Sequence, residues 1–172
     1  MDGEWWIIPD PFTIYDSPFT SRMRFHFIWV GKTKDRRWRA LQDEYLQRLS
    51  HFVKYSVTEI KDKAVHESVE AEGERILDKV NQSAFVCALD VKGRSVGSRK
   101  LASKIADWQV RGVKEVAFVI GGAEGLSPAV VERADFSLSL SFLTFTHEMA
   151  RVILLEQLYR SFTIIKGYPY QK

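Results

Sequence analysis

VAFVI GGAEGLSP AVVERAD FSLSLS FLTFTHEMARVILLEQLYR, from Val116 to Arg160, is the stretch whose reading decides the fold. The apolar run Val116–Ile120 is short and β-branched, the pattern of a strand buried on both faces. Gly121, Gly122 and Gly125 follow at once, so the backbone there can turn tightly or let a ligand approach. Ser127 and Pro128 then supply an N-cap and a first helical residue. A glycine turn at the carboxyl end of a buried strand lies where open α/β sheets bind ligands. An ordinary strand-to-helix turn accounts for the three glycines equally well at this point. The spacing G-G-x-x-G is not the dinucleotide fingerprint, and no G-K-[ST] follows, so nucleoside triphosphates are not expected.

The last helix adds a second constraint. With residues 147 to 164 spaced about 100° apart, Leu155, Leu158 and Phe162 fall on one side, and Met149, Ile153 and Ile164 fall opposite. A helix apolar all round must be covered all round. In a chain of this size, the expectation is that the sheet covers one side and a second copy the other, making a homodimer. Two polar pairs are four apart, His147 with Arg151 and Glu156 with Arg160. The second reads as a helix-stabilising ion pair; the first suits structure and function equally.

Working outward, strands and helices alternate from Arg24. Strands are expected over RFHFIWVG, VKYSVTEI, Ala84–Asp90, Glu115–Ile120 and Phe136–Ser141. Helices are expected over Asp35–Phe52, Val65–Val80 and Leu101–Val110, with a short one after Ser127 and the last from about His147. VKGRSVGSRK, after Asp90, reads as a polar turn. This alternation predicts an α/β fold, a mainly parallel five- to six-stranded sheet with helices on both faces.

Composition bounds the rest. The chain has 172 residues, 45% of them hydrophobic, enough for one proper core. No apolar stretch is long enough and free enough of charge for a membrane span, and a cytoplasmic protein is expected. The single cysteine, Cys87, sits in an apolar run and reads as core. His26, His51, His66 and His147 show no ligand spacing, so no metal is expected. Residues 1–22 carry four acids, one base and three prolines with no regular period, and are expected to be an extension outside the fold. Residues 23–172 are expected to form the single domain; they hold 24 bases and 18 acids, a net charge of +6. Lys32, Lys34, Arg36, Arg37 and Arg39, interleaved with Trp38, could grip phosphates or simply be a solvated helix start.

Three motifs in order carry a resemblance: LDVKG (Leu89–Gly93), VIGGAEGLS (Val119–Ser127) and LSLSFLTFTHEMARVILLEQLYRSFTIIKGYPY (Leu138–Tyr170). Together they resemble the RlmH family of large-subunit rRNA pseudouridine N3-methyltransferases, within the SPOUT superfamily. The resemblance runs from about Arg24 to the end. It implies a C-terminal trefoil knot, S-adenosyl-L-methionine held in the knot loops, and a homodimer acting on 23S rRNA in the large ribosomal subunit. By the same resemblance Leu89, Gly121, Leu140, Ser141, Phe142, Leu143, Thr144 and Phe145 would hold the methyl donor. His147, Arg151 and Tyr170 would be catalytic, and Tyr159, Arg160, Gln171 and Lys172 would contact RNA. The family's tail ends in tyrosine, histidine and a basic residue, whereas this chain ends Tyr170, Gln171, Lys172. Glutamine cannot act as a base near neutral pH, so Gln171 is expected to serve as a neutral hydrogen-bonding contact. The alternatives are a SPOUT methyltransferase for another RNA nucleotide, or a catalytically silent RNA-binding dimer.

Overall fold

The structure is a computed structural model and describes residues 23–62 and 68–170. The expectations for residues 1–22, for Val65 and His66, and for Gln171 and Lys172 lie outside the described residues. Five strands, β1 (Arg24–Val30), β2 (Lys54–Ile60), β3 (Phe85–Ser95), β4 (Glu115–Ile120) and β5 (Phe136–Ser139), form one sheet in the order β2-β1-β4-β3-β5. Every pairing in it is parallel.

Parallel strands require crossovers, and four helices supply them: α1 (Arg36–Ser50), α2 (Val69–Leu77), α3 (Ser98–Val110) and α4 (Pro128–Arg133); a fifth, α5 (His147–Lys166), follows β5. The period-2 alternation of each strand divides the core in two. Phe25, Phe27 and Trp29 of β1 join Phe118 of β4 under α1, α3 and α5. Ile28 and Val30 join Ala117 and Val119 under α2 and α4 on the other face. All six residues of β4 are buried, as the apolar run foretells for a central strand. Cys87 is fully buried, and burial pushes its thiol well above the ordinary range, so it packs as an inert core residue.

The cap expected at Ser127 forms, and Asp35 supplies a second that the sequence reading did not name. Ser127 caps α4 through Val130 N–H, and Pro128 stands at the first helical position. Asp35 caps α1 by accepting from Arg37 N–H at 2.8 Å, and its carboxylate also pairs with the Arg37 side chain. That carboxylate offsets the unfavourable meeting of a basic cluster with a helix N-terminus.

Two expectations change. β3 does not end at Asp90 but runs to Ser95, inside the stretch expected to be a turn. Leu138 registers with both Leu89 and Arg94, so residues 90–93 loop out between them and pairing then resumes. Gly93 permits the resumption, because a Cβ there would sit 2.8 Å from the Ser137 backbone. The second change concerns α5. It is covered on both flanks by helices of its own chain, α1 and α3, and below by the sheet. All-round apolarity is therefore largely satisfied within one chain, leaving the stripe of Met149, Ile153 and Ile164 partly exposed.

Candidate functional site

Beyond the carboxyl ends of β3, β4 and β5 lies a cavity of about 640 Å³, a size suited to a small organic ligand. Three segments build it: the end of β3 with its looped-out residues, the glycine turn after β4, and the loop between β5 and α5. The glycines have distinct reasons. Gly125 takes a positive φ of 85°. Gly121 needs space instead, since a Cβ there would meet the Gly125 carbonyl oxygen at 2.5 Å. Gly125 N–H closes the turn on the Gly122 carbonyl at 3.2 Å.

Of the residues assigned to a methyl donor, Leu89, Gly121, Leu140, Ser141, Leu143, Thr144 and Phe145 all line this cavity. Phe142 does not. It is 94% exposed, because Leu143 N–H bonds the Ser141 hydroxyl at 3.0 Å in a tight local turn that leaves Phe142 at the tip, facing solvent. His147 lies at the wall, on the first turn of α5, after Thr146 caps the helix through Met149 N–H.

Arg151 is corrected more sharply. Four residues after His147, it is not in the cavity but fully buried behind it. Its guanidinium donates to the Val30 carbonyl at 2.5 Å and to Thr33 Oγ1 at 2.9 Å, and lies 5.1 Å from the centre of the Trp29 ring. Burial lowers its pKa to about 10, against the opposing pull of Glu59 and Glu148. In this geometry Arg151 fastens the start of α5 to the end of β1.

Tyr159, Arg160 and Tyr170 meet one another far from the cavity. The helix from His147 to Arg160 is about 20 Å long. The Tyr159 and Tyr170 rings meet edge to face at 4.9 Å, and Arg160 lies 4.8 Å from the Tyr170 ring centre. Glu156 joins them: Arg160 Nε donates to it at 2.9 Å and the Tyr170 hydroxyl at 3.3 Å, so the ion pair expected from spacing forms. Burial first, then contacts with Tyr45 and Glu156, raise the Tyr170 pKa well above its ordinary value. Its phenol therefore stays protonated and suits stacking or hydrogen-bond donation.

The sequence reading passed over Asp90 and Glu124, which also line the cavity. Their signal was position alone, one just after Leu89 and the other inside the glycine turn. No lysine or arginine joins them among the described lining residues. Phosphate-rich ligands are thereby disfavoured, and a cationic ligand with an apolar body fits. No group of three or more potential metal ligands occurs among the described residues, and no described helix is long and apolar enough to cross a membrane.

A doubly covered parallel sheet with a glycine-turn cavity beyond its carboxyl edge defines an α/β enzyme that handles a small organic ligand or cofactor. Comparison narrows the class. The family model described as "Predicted SPOUT methyltransferase" matches residues 23–171. A protein named ribosomal RNA large subunit methyltransferase H from Bifidobacterium animalis is 45% identical over 159 residues, spanning 87% of this chain and all of its own length. Its namesake from Carboxydothermus hydrogenoformans is 43% identical, with the same coverage. The fold resembles a methylase family protein from Haemophilus influenzae, with a TM-score of 0.52 and 14% identity over 88% of this chain and 71% of that one. The chain belongs to the SPOUT methyltransferases and, within them, to the RlmH family.

Proposed function

We propose that the cavity binds S-adenosyl-L-methionine and that the protein, as a cytoplasmic homodimer, methylates N3 of a pseudouridine in the 23S rRNA of the large ribosomal subunit. The observation that carries the reading is the cavity itself: apolar walls, a glycine turn, two carboxylates and no lysine or arginine among its described lining residues, in a chain of this family. Leu89, Leu140 and Phe145 would enclose the adenine. Asp90 and Glu124 would complement the positive charge of the donor. When bound, the donor supplies a methyl group already activated by its sulfonium. What remains for the chain is to place the nitrogen in line and accept the imide proton, for which His147 at the cavity wall is the candidate.

Tyr159 and Arg160 would hold RNA by stacking and charge, and Tyr170, expected among the catalytic residues, would stack on or orient the target base. They lie about 20 Å along α5 from their own cavity. Two chains joined with their α5 helices antiparallel would bring each tail to the other's cavity, and the proposed homodimer takes this arrangement. In the same reading residues 23–172 form the domain with its C-terminal knot, and residues 1–22 precede it; the family model's match begins at residue 23.

The test is transfer of labelled methyl to ribosomes lacking this modification, beside ribosomes that also lack the target pseudouridine. Methylation of only the first is expected. Equal methylation of both would move the substrate to another nucleotide, and no transfer to either, with donor still bound, would favour a silent RNA-binding dimer.

A further inference from the structure

Behind the glycine turn, on α2, stands a carboxylate that the site described so far does not use. Glu72 is partly buried, and its Oε1 accepts from Gly122 N–H at 3.0 Å. A trans peptide unit points its N–H and C=O in opposite directions. Holding the Gly122 N–H toward α2 therefore aims the Gly121 carbonyl away from α2, on the side where Gly121 lines the cavity. None of the described turn and loop amides donates to that carbonyl. It is left as an acceptor for a ligand N–H or O–H.

A peptide between two glycines flips easily, because neither has a Cβ to oppose positive φ. Without an acceptor behind it, this unit would gain by turning its N–H elsewhere, presenting a donor where the ligand needs an acceptor. α2 is held close enough to prevent this. A Cβ on Gly73 would lie 2.0 Å from Ser127 Oγ, so glycine at that position seats α2 against the start of α4. A Cβ on Gly122 would in turn meet Glu72 Oε2 at 2.7 Å.

The structure assigns Glu72 as a positioning residue that fixes the Gly121–Gly122 peptide so that the Gly121 carbonyl accepts a hydrogen bond from the methyl donor. This rests on the cavity taking S-adenosylmethionine. The experiment is calorimetry of the full-length protein with S-adenosylmethionine and with S-adenosylhomocysteine, which lacks the sulfonium charge. Glu72→Ala should weaken both about tenfold, and Glu72→Gln, which keeps an acceptor oxygen, should restore both. Gly122→Ala, whose Cβ displaces the carboxylate, should weaken both with Glu72 intact, and covers the case in which Glu72→Ala folds poorly. Unchanged binding in Glu72→Ala overturns the assignment. So does a loss confined to S-adenosylmethionine and shared by Glu72→Gln, since charge would then be acting. Failure of the unaltered protein to bind either compound overturns the cavity reading beneath it.

Discussion

Arg151 shows how far spacing carries an argument about a single residue. A separation of four places His147 and Arg151 on one face of a helix. The imidazole stays at the cavity wall, while the longer side chain passes behind it to Val30 and Thr33. Arg151→Ala removes a fully buried side chain and two hydrogen bonds, and should lower stability by about 3 kcal/mol, read from urea unfolding. Arg151→Met keeps most of the bulk and avoids burying a charge, so the loss should stay within about 1.5 kcal/mol, with methyl transfer retained. Abolished transfer in a stably folded Arg151→Met protein would give the guanidinium a direct part in the chemistry. Leu89, Gly121, Leu140, Ser141, Leu143, Thr144 and Phe145 came from the family resemblance and do line the cavity, because they lie at or just beyond strand ends, where chain position delivers a residue to the cavity edge. Phe142 escaped that logic, since a side chain's direction in a tight turn depends on one local hydrogen bond.

At the scale of elements, hydrophobic period located nearly every strand and helix, and contacts between distant elements account for most of what it missed. Period says that α5 must be covered, but not that α1 and α3 of the same chain do most of the covering. It ended β3 at Asp90 because residues 91–100 are polar; pairing with β5 draws the strand on to Ser95 regardless. Gly73 is buried on α2 beside Ile76, and the need for glycine there comes from Ser127 on another element, which the helical period does not show. The two effects of Gly73→Ala oppose each other. Alanine favours an exposed helix interior over glycine by about 1 kcal/mol. Overpacking at a tight contact costs about 1–3 kcal/mol. With the new Cβ 2.0 Å from Ser127 Oγ and 2.7 Å from its Cβ, and Ser127 itself buried, the steric cost should win. Gly73→Ala should therefore destabilise the protein despite its better helix propensity, with a lower thermal midpoint; a raised midpoint would mean that α2 moves freely on α4.

For the whole molecule, alternation of strands and helices was enough to predict a parallel sheet, but not the order β2-β1-β4-β3-β5, which depends on where each crossover lands. That order sets the end of β3 between the glycine turn after β4 and the loop after β5, and so makes the cavity. It also sends α5 away from the cavity, carrying the Tyr159, Arg160 and Tyr170 cluster about 20 Å off. If a reaction needs both places, a site formed within one chain and a site shared between two make opposite predictions. Gly121→Ala spoils the cavity, because its Cβ meets the Gly125 carbonyl oxygen at 2.5 Å. Tyr170→Ala removes the aromatic ring of the tail. On the proposed homodimer, each variant alone should be inactive. Heterodimers of the two, purified through separate tags, join one intact cavity to one intact tail only if the site is shared across the interface. Such heterodimers should then show about half the methyl transfer of the unaltered protein, one working site of two. A site confined to one chain leaves both protomers defective, and the heterodimer should be as inactive as its parents.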